Sequence, residues 1–186
     1  MRPIRADDKR ALEQGFERLS EQSRYQRFMA PIAELSPAQL RYLTEVDHHD
    51  HEALVAFDSE GAAAAVARFI RLEDGTSAEA AVTVIDEWQG RGLGTALSQL
   101  LAERAREEGI ERFTALLLAS NDQMHDVLSS LGPANVISRD AGTVEVEVEI
   151  PEEGVSDHLV GVLRVVAGGT VELATPPWGL RPAPEG

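Results

Sequence analysis

The spacing of apolar residues near the amino terminus follows a helical period. Leu12, Phe16 and Leu19 recur at helical intervals within residues 6–20, and a short extended segment, "RPIR", precedes them. Two shorter helices are predicted next, at residues 21–30 and from Ser36 onward. Serine favours the position before a helix and proline its first turn, as in the pair Ser36 and Pro37. The pattern therefore predicts one strand followed by a mostly helical region that extends to residue 46.

From residue 52 the pattern becomes typical of β-strands. Residues 52–58 and 62–72 are two apolar runs joined by a tight connection, which predicts an antiparallel hairpin. Residues 78–85 are almost continuously apolar, as expected of a strand that is covered on both faces. Residues 112–119 form a similar run, and residues 143–150 alternate strictly between apolar and acidic side chains.

Helical spacing returns between these strands. Residues 93–108 carry leucines on one face and end before Gly109, which makes residues 78–119 a strand, helix and strand unit long enough for parallel pairing. Asn121 is a candidate cap for the next helix, and a further strand is expected around residues 135–138. The order of elements predicts an α/β fold with a mixed, mostly antiparallel sheet of about seven strands flanked by helices.

Residues 151–186 differ in character from the rest of the chain. Their apolar periodicity does not decide between helix and strand, and they end in the Pro/Gly-rich stretch "TPPWGLRPAPEG". We therefore expect a domain at residues 1–150 and a carboxyl-terminal extension at 151–186, which is a candidate to cover a sheet edge or to form a homodimer contact.

The net charge of the chain limits the kinds of partner that it can bind. The 186 residues contain 17 Lys and Arg against 32 Asp and Glu, for a formal charge of −15. Such a surface repels nucleic acid and favours an amine-bearing substrate. Cysteine is absent, which excludes thiol catalysis and disulfides, and no window approaches the roughly 18 apolar residues of a membrane span. We expect a cytoplasmic protein with neither membrane nor nucleic acid as partner.

A glycine-rich loop, "DEWQGRGLGTAL" at residues 86–97, joins a predicted strand to a predicted helix. Such loops bring backbone N–H groups to phosphate at a helix amino terminus. The loop lacks the lysine of a nucleoside triphosphate P-loop, and Thr95 stands where the dinucleotide motif requires its third glycine. The remaining class is the coenzyme A pyrophosphate pattern [QR]-x-x-G-x-[GA], which Gln89, Gly92 and Gly94 match.

With this motif the chain resembles the GNAT superfamily of N-acetyltransferases over about residues 1–150. The stretches "RPIRADD", "LSEQSRYQRF", "AEAAVTV" and "ASNDQM" are similar to the acetyltransferase domain of bacterial Pat-type protein-lysine acetyltransferases. The resemblance implies a GNAT fold whose central sheet splays at the acetyl-CoA site. It also implies acetyl-CoA as co-substrate and an amine acceptor, with a protein lysine favoured over a small amine or polyamine.

The resemblance implies a set of cofactor contacts on the strand, the loop and the next helix. The implied contacts are Val82, Thr83, Val84, Gln89, Gly90, Arg91, Gly92, Leu93, Gly94, Thr95 and Asn121. The N–H of Val84 is the candidate to polarise the thioester carbonyl.

An amine must lose a proton before it attacks, so a general base is needed, and Glu79 is the candidate. It is the only carboxylate in the strand at 78–85, where we expect it among apolar side chains, and it matches the Pat-type "AE-x-A" motif. The alternative is a glutamate at the strand end that faces solvent. Leu128 stands where the family often has a tyrosine that protonates the thiolate. The departure leaves open a catalytically weak acyl-CoA-binding sensor as the alternative.

The cluster "DHHDHE" at residues 47–52 could suggest a metal site. Neighbours on an extended segment point to opposite sides, which makes shared ligation by its three histidines poor. We therefore expect no metal and assign His51 to packing or to the substrate site.

Overall fold

The computed structural model describes residues 1–151; the expected extension lies almost entirely outside the described residues. The helices are α1 (Lys9–Glu17), α2 (Glu21–Phe28), α3 (Pro37–Thr44), α4 (Leu93–Glu107) and α5 (Asp122–Ser129). The strands are β1 (Arg2–Pro3), β2 (His51–Phe57), β3 (Ala63–Arg71), β4 (Ser77–Val84), β5 (Arg112–Leu118), β6 (Ala134–Asp140) and β7 (Thr143–Glu149).

Serine caps set the starts of the two short helices, as the sequence predicts. The Ser20 hydroxyl accepts a hydrogen bond from the backbone N–H of Ser23, and Ser36 does the same for Gln39. Helix α2 ends earlier than predicted, at Phe28, because Met29 adopts a left-handed conformation with φ 52°. A left-handed residue cannot continue a right-handed helix.

The seven strands form one sheet in the order β1-β2-β3-β4-β5-β7-β6. Every neighbouring pair is antiparallel except β4 and β5, which confirms the predicted mixed sheet and the predicted β2–β3 hairpin. The alternation in β7 is also as expected, since Val144, Val146 and Val148 are buried.

Helices cover both faces of the sheet and enclose the core. Leu93, Leu97 and Leu101 of α4 are almost fully buried, and each such side chain contributes about 1.5–3 kcal/mol by leaving water. Helix α1 packs so closely on the opposite face that a Cβ on Gly15 would lie 2.3 Å from the Ala63 carbonyl oxygen. The site therefore forms between two firmly held layers.

Strands β4 and β5 part soon after they begin. Only Ser77–Glu79 of β4 pairs with Arg112–Thr114 of β5, although both strands continue for several residues. The sheet therefore opens into a fork whose apex is at Glu79 and whose wide end faces the glycine-rich loop.

Candidate active site

The hydrogen-bond pattern of β4 determines which backbone groups face the fork. Leu72 donates to the Ser77 carbonyl at 2.8 Å, and Ile85 donates to the Ala64 carbonyl at 3.0 Å. Antiparallel neighbours alternate between hydrogen-bonded and non-bonded pairs. Odd-numbered residues of β4 therefore bond β3, and even-numbered residues turn their N–H and carbonyl groups toward the gap.

This alternation separates the three strand residues implied by the resemblance. Val82 and Val84 turn their backbone groups into the fork, whereas the backbone of Thr83 is opposite Val66 in a bonded pair of β3. The Val84 carbonyl accepts a hydrogen bond from the Gln89 side chain at 3.0 Å. Among the described residues, nothing accepts a bond from the Val84 N–H, which leaves that donor for a ligand.

The glycine-rich loop brings further backbone N–H groups to the same side of the molecule. Gly90, Gly92, Gly94 and Thr95 line the cavity at the start of α4. Gly92 is the residue before α4, and its φ of 80° lies in the region that favours glycine. A helix amino terminus carries partial positive charge, so the loop is arranged to bind an anion such as a pyrophosphate.

A cavity of about 630 Å³ runs from the loop to Glu79 between β4, β5 and α2. That volume lies within the usual range for small-molecule and cofactor sites. The predicted contact residues that line it are Val82, Thr83, Val84, Gln89, Gly90, Gly92, Leu93, Gly94, Thr95 and Asn121.

Two predicted contacts have side chains that point elsewhere. Arg91 is exposed and does not line the cavity; its guanidinium lies 5.1 Å from the centre of the Trp88 ring. Leu93 is 1% exposed, so only its backbone is available to a ligand.

Glu79 lines the cavity at the apex of the fork, but its surroundings differ from those expected. The residue is exposed rather than enclosed by apolar side chains. Its strand is apolar because the residues on either side, Ala78 and Ala80, point into the core. Glu79 itself points to the opposite face, toward the charge of Arg27 on α2.

Helix α5 forms the far wall of the cavity. The Asn121 side chain accepts a hydrogen bond from the Met124 N–H at 3.2 Å and caps the helix, and Asn121 also lines the cavity. Leu128 is buried at 3% exposure and lies away from the cavity. No tyrosine lines the cavity within the described part of the chain.

Helix α2 and the residue that follows it also contribute to this cavity. Ser23, Gln26, Arg27 and Met29 all line it. Asp86 fixes the start of α2, because its carboxylate accepts bonds from the Ser20 hydroxyl at 2.7 Å and from Ser23. A serine cap signals a helix start but carries no information about which strand the helix crosses.

The three histidines of the "DHHDHE" cluster have separate partners. His48 bonds Glu52, and His49 bonds Glu108. His51 accepts a bond from Arg68 instead. Among residues 1–151, no three His, Asp or Glu side chains are arranged to hold a metal ion, and no helix there is long and apolar enough to cross a membrane.

Comparison with known proteins identifies the family. The model of the acetyltransferase (GNAT) family matches residues 12–132. Acetyltransferase Pat of Mycolicibacterium smegmatis is 36% identical over 153 residues, which are 81% of this chain and 45% of Pat. Acetyltransferase PA5475 of Pseudomonas aeruginosa is 33% identical over 135 residues, which are 71% of this chain and 73% of that protein.

The fold gives the same result. The crystal structure of the GNAT domain of S. lividans PAT superposes with a TM-score of 0.74 at 34% identity, covering 80% of this chain and 88% of that one. The chain belongs to the GNAT acetyltransferase family. Members of this family use acetyl-CoA as co-substrate and act on amine acceptors. The chain spans less than half the length of acetyltransferase Pat.

Proposed function

We propose that this chain transfers the acetyl group of acetyl-CoA to a primary amine, with a protein lysine as the favoured acceptor and Glu79 as the general base. The observation that carries the proposal is the position of Glu79 at the apex of the fork, in the same cavity as the glycine-rich loop. The similarity to acetyltransferase Pat and to the GNAT domain of S. lividans PAT supports acyl transfer. We take residues 1–150 as the catalytic domain.

The backbone of the fork supplies the remaining chemistry. In this proposal Val82 and Val84 hold the pantetheine arm through the groups that they turn toward the gap. The Val84 N–H would donate to the thioester carbonyl oxygen and stabilise the negative charge that develops as the amine attacks. The N–H groups of residues 90–95 would bind the pyrophosphate, and Asn121 would contact the same arm.

Glu79 suits the base role because it combines access with position. An ammonium has no lone pair, so the proton must leave before or during attack. An exposed carboxylate at the mouth of the fork can meet an incoming amine directly or through water. Its negative charge also attracts the ammonium form to the place where deprotonation is needed.

The test is the variant Glu79→Gln, assayed by release of free CoA thiol with lysine peptides, proteins and polyamines as acceptors. We expect kcat to fall about 10²- to 10⁴-fold while the Kd for acetyl-CoA is unchanged, because the amide keeps the shape but accepts no proton. Glu13→Gln is the matched control, since Glu13 is exposed on α1 and does not line the cavity. Full turnover by Glu79→Gln would refute the base assignment, and no thiol release by the unmodified protein with any acceptor would favour the sensor.

A further inference from the structure

A buried positive charge lies close to the acceptor side of the fork. Arg68 of β3 is 4% exposed, yet no carboxylate among the described residues lies within ion-pair distance of it. Its Nη1 donates to His51 Nε2 and its Nη2 to the Leu43 carbonyl oxygen, both at 3.1 Å. Buried charges are normally paired, so this arginine needs an explanation.

A second arginine faces the same place. Arg27 of α2 is half-buried, and its charge and that of Arg68 repel each other. Burial lowers the pKa of Arg27, whereas the charge of Glu79 raises it. Burial together with Arg27 lowers the pKa of Arg68 to about 9, so Arg68 stays charged near neutral pH. Within residues 1–151, Arg27 makes no ion pair; its guanidinium lies 5.2 Å from the centre of the Phe28 ring. Glu79 acts on Arg27 from beyond ion-pair distance, so the repulsion between the two arginines is only partly compensated unless an anion binds there.

A small cavity of about 50 Å³ lies beside the main one. Both arginines line it, together with Phe16, Phe28 and Thr83. Its volume exceeds the roughly 10–15 Å³ that one water requires, so it has room for a small polar group. Arg27, Phe28 and Thr83 also line the main cavity, so the two spaces share a wall.

The register of the sheet places this small cavity beside Glu79. Arg68 is directly opposite Ala81, and Ala81 and Glu79 point to the same face of β4. Same-face neighbours on a strand are about 7 Å apart. When the amine of an acceptor lies at Glu79, the positive charge of Arg68 therefore lies about one same-face residue spacing further along the sheet.

We propose that Arg27 and Arg68 bind a carboxylate carried by the acceptor, so that the preferred substrate presents an amine and a carboxylate together. The inference rests on the proposed amine transfer and adds the second recognition group. The carboxylate is either the α-carboxylate of a free amino acid or an acidic side chain beside a lysine in a peptide. Arginine suits both because its planar fork pairs with a carboxylate through two hydrogen bonds.

Two matched pairs of acceptors test the proposal. Nα-acetyl-L-lysine and Nα-acetyl-L-lysinamide share one ε-amine and differ only in the carboxylate. Two blocked peptides, with either glutamate or glutamine before a single lysine, differ in the same way. Each acceptor is assayed for kcat/KM by thiol release and for Kd by calorimetry with CoA bound.

We expect the unmodified protein to prefer the carboxylate-bearing member of one pair by roughly 10-fold or more, the usual range for hydrogen bonds to a charged group. A larger ratio for the free lysine pair assigns the α-carboxylate, and a larger ratio for the peptide pair assigns the acidic side chain. Arg27→Gln should bring that ratio close to one.

Arg10→Gln is the matched control, because Arg10 is exposed on α1, lines neither cavity and changes the net charge equally; it should keep the ratio of the unmodified protein. Arg27 is the better target because Arg68 also holds α3 to the sheet through Leu43, and its loss could unfold the chain. Equal values within both pairs would overturn the proposal, as would an unchanged ratio in Arg27→Gln. If no acceptor is acetylated, the proposed function fails, and the Kd ratios alone decide whether the arginines bind a carboxylate.

Discussion

His51 should make the fold sensitive to mild acid. It is half-buried on β2, where it accepts a hydrogen bond from Arg68, and the Tyr42 ring of α3 lies beside it. Burial and the charge of Arg68 lower the pKa of His51 from the usual 6.5 to about 4; Asp47 opposes this shift and His48 adds to it. Between these values the unfolded chain binds a proton that the folded chain rejects, so stability falls as the pH falls from 6.5 toward 4.

The size of the effect follows from the two pKa values. At pH 5 an unfolded histidine is almost fully protonated and His51 in the fold is about 10% protonated, which corresponds to about 2 kcal/mol of lost stability. Because His51 is only half-buried, solvent screens part of the interaction, and we expect about 1 kcal/mol. Protonation also removes the acceptor at Nε2 and puts a second positive charge against Arg68.

The assay is urea denaturation at pH 7.5, 6.5, 5.5 and 5.0 for the unmodified protein and for His51→Gln. Glutamine can accept a bond from Arg68 but does not titrate, so this variant should lose about 1 kcal/mol less between pH 7.5 and 5.0. His125→Gln is the control, since the His125 side chain makes no hydrogen bond to another described residue. An equal loss in His51→Gln and the unmodified protein would show that another group causes the acid sensitivity.

Two further changes separate binding from stability. A Cβ on Gly94 would lie 3.3 Å from a Val84 methyl, so the side chain in Gly94→Val should overpack the fork at a cost of about 1–3 kcal/mol. We expect the affinity for CoA, measured by calorimetry, to fall roughly 10-fold. An unchanged affinity would argue against this loop as the CoA site. Glu52 is 1% exposed, and its carboxylate accepts hydrogen bonds from the Ala53 N–H at 2.8 Å and from Arg104 at 3.4 Å. Glu52→Gln should therefore lower the free energy of unfolding in urea by about 2 kcal/mol and leave the Kd for acetyl-CoA unchanged.

Local patterns were sufficient to predict the order of elements. Alternation identified β7, serine caps identified the starts of α2 and α3, and the apolar run at 78–85 identified β4. Each signal is carried by side chains within one element, where period and capping act directly. The glycine-rich loop was recognisable for the same reason, because its spacing is local.

Non-local geometry was not accessible in this way. The pairing of β4 with β5 ends after Glu79, and no residue of either strand marks that point. The exposure of Glu79 depends on how much of that face of β4 is left uncovered by α2. Arg27 and Arg68 are 41 positions apart and come together only because α2 packs on β4, the strand beside β3. Contacts made through packing between elements have no sequence period to reveal them.

The net charge of the protein and the local charges of Arg27 and Arg68 have different roles. The formal charge of −15 produces a long-range field that attracts an amine-bearing acceptor and weakens with salt. The pair of Arg27 and Arg68 acts over a few ångströms and is less screened, because Arg68 is 4% exposed. A simple polyamine would benefit from the field and be repelled by the pair, whereas an acceptor with both charges would satisfy Glu79 and the arginines together. Raising the salt concentration should therefore reduce kcat/KM for every amine, yet leave the ratio between carboxylate-bearing and amide acceptors nearly constant.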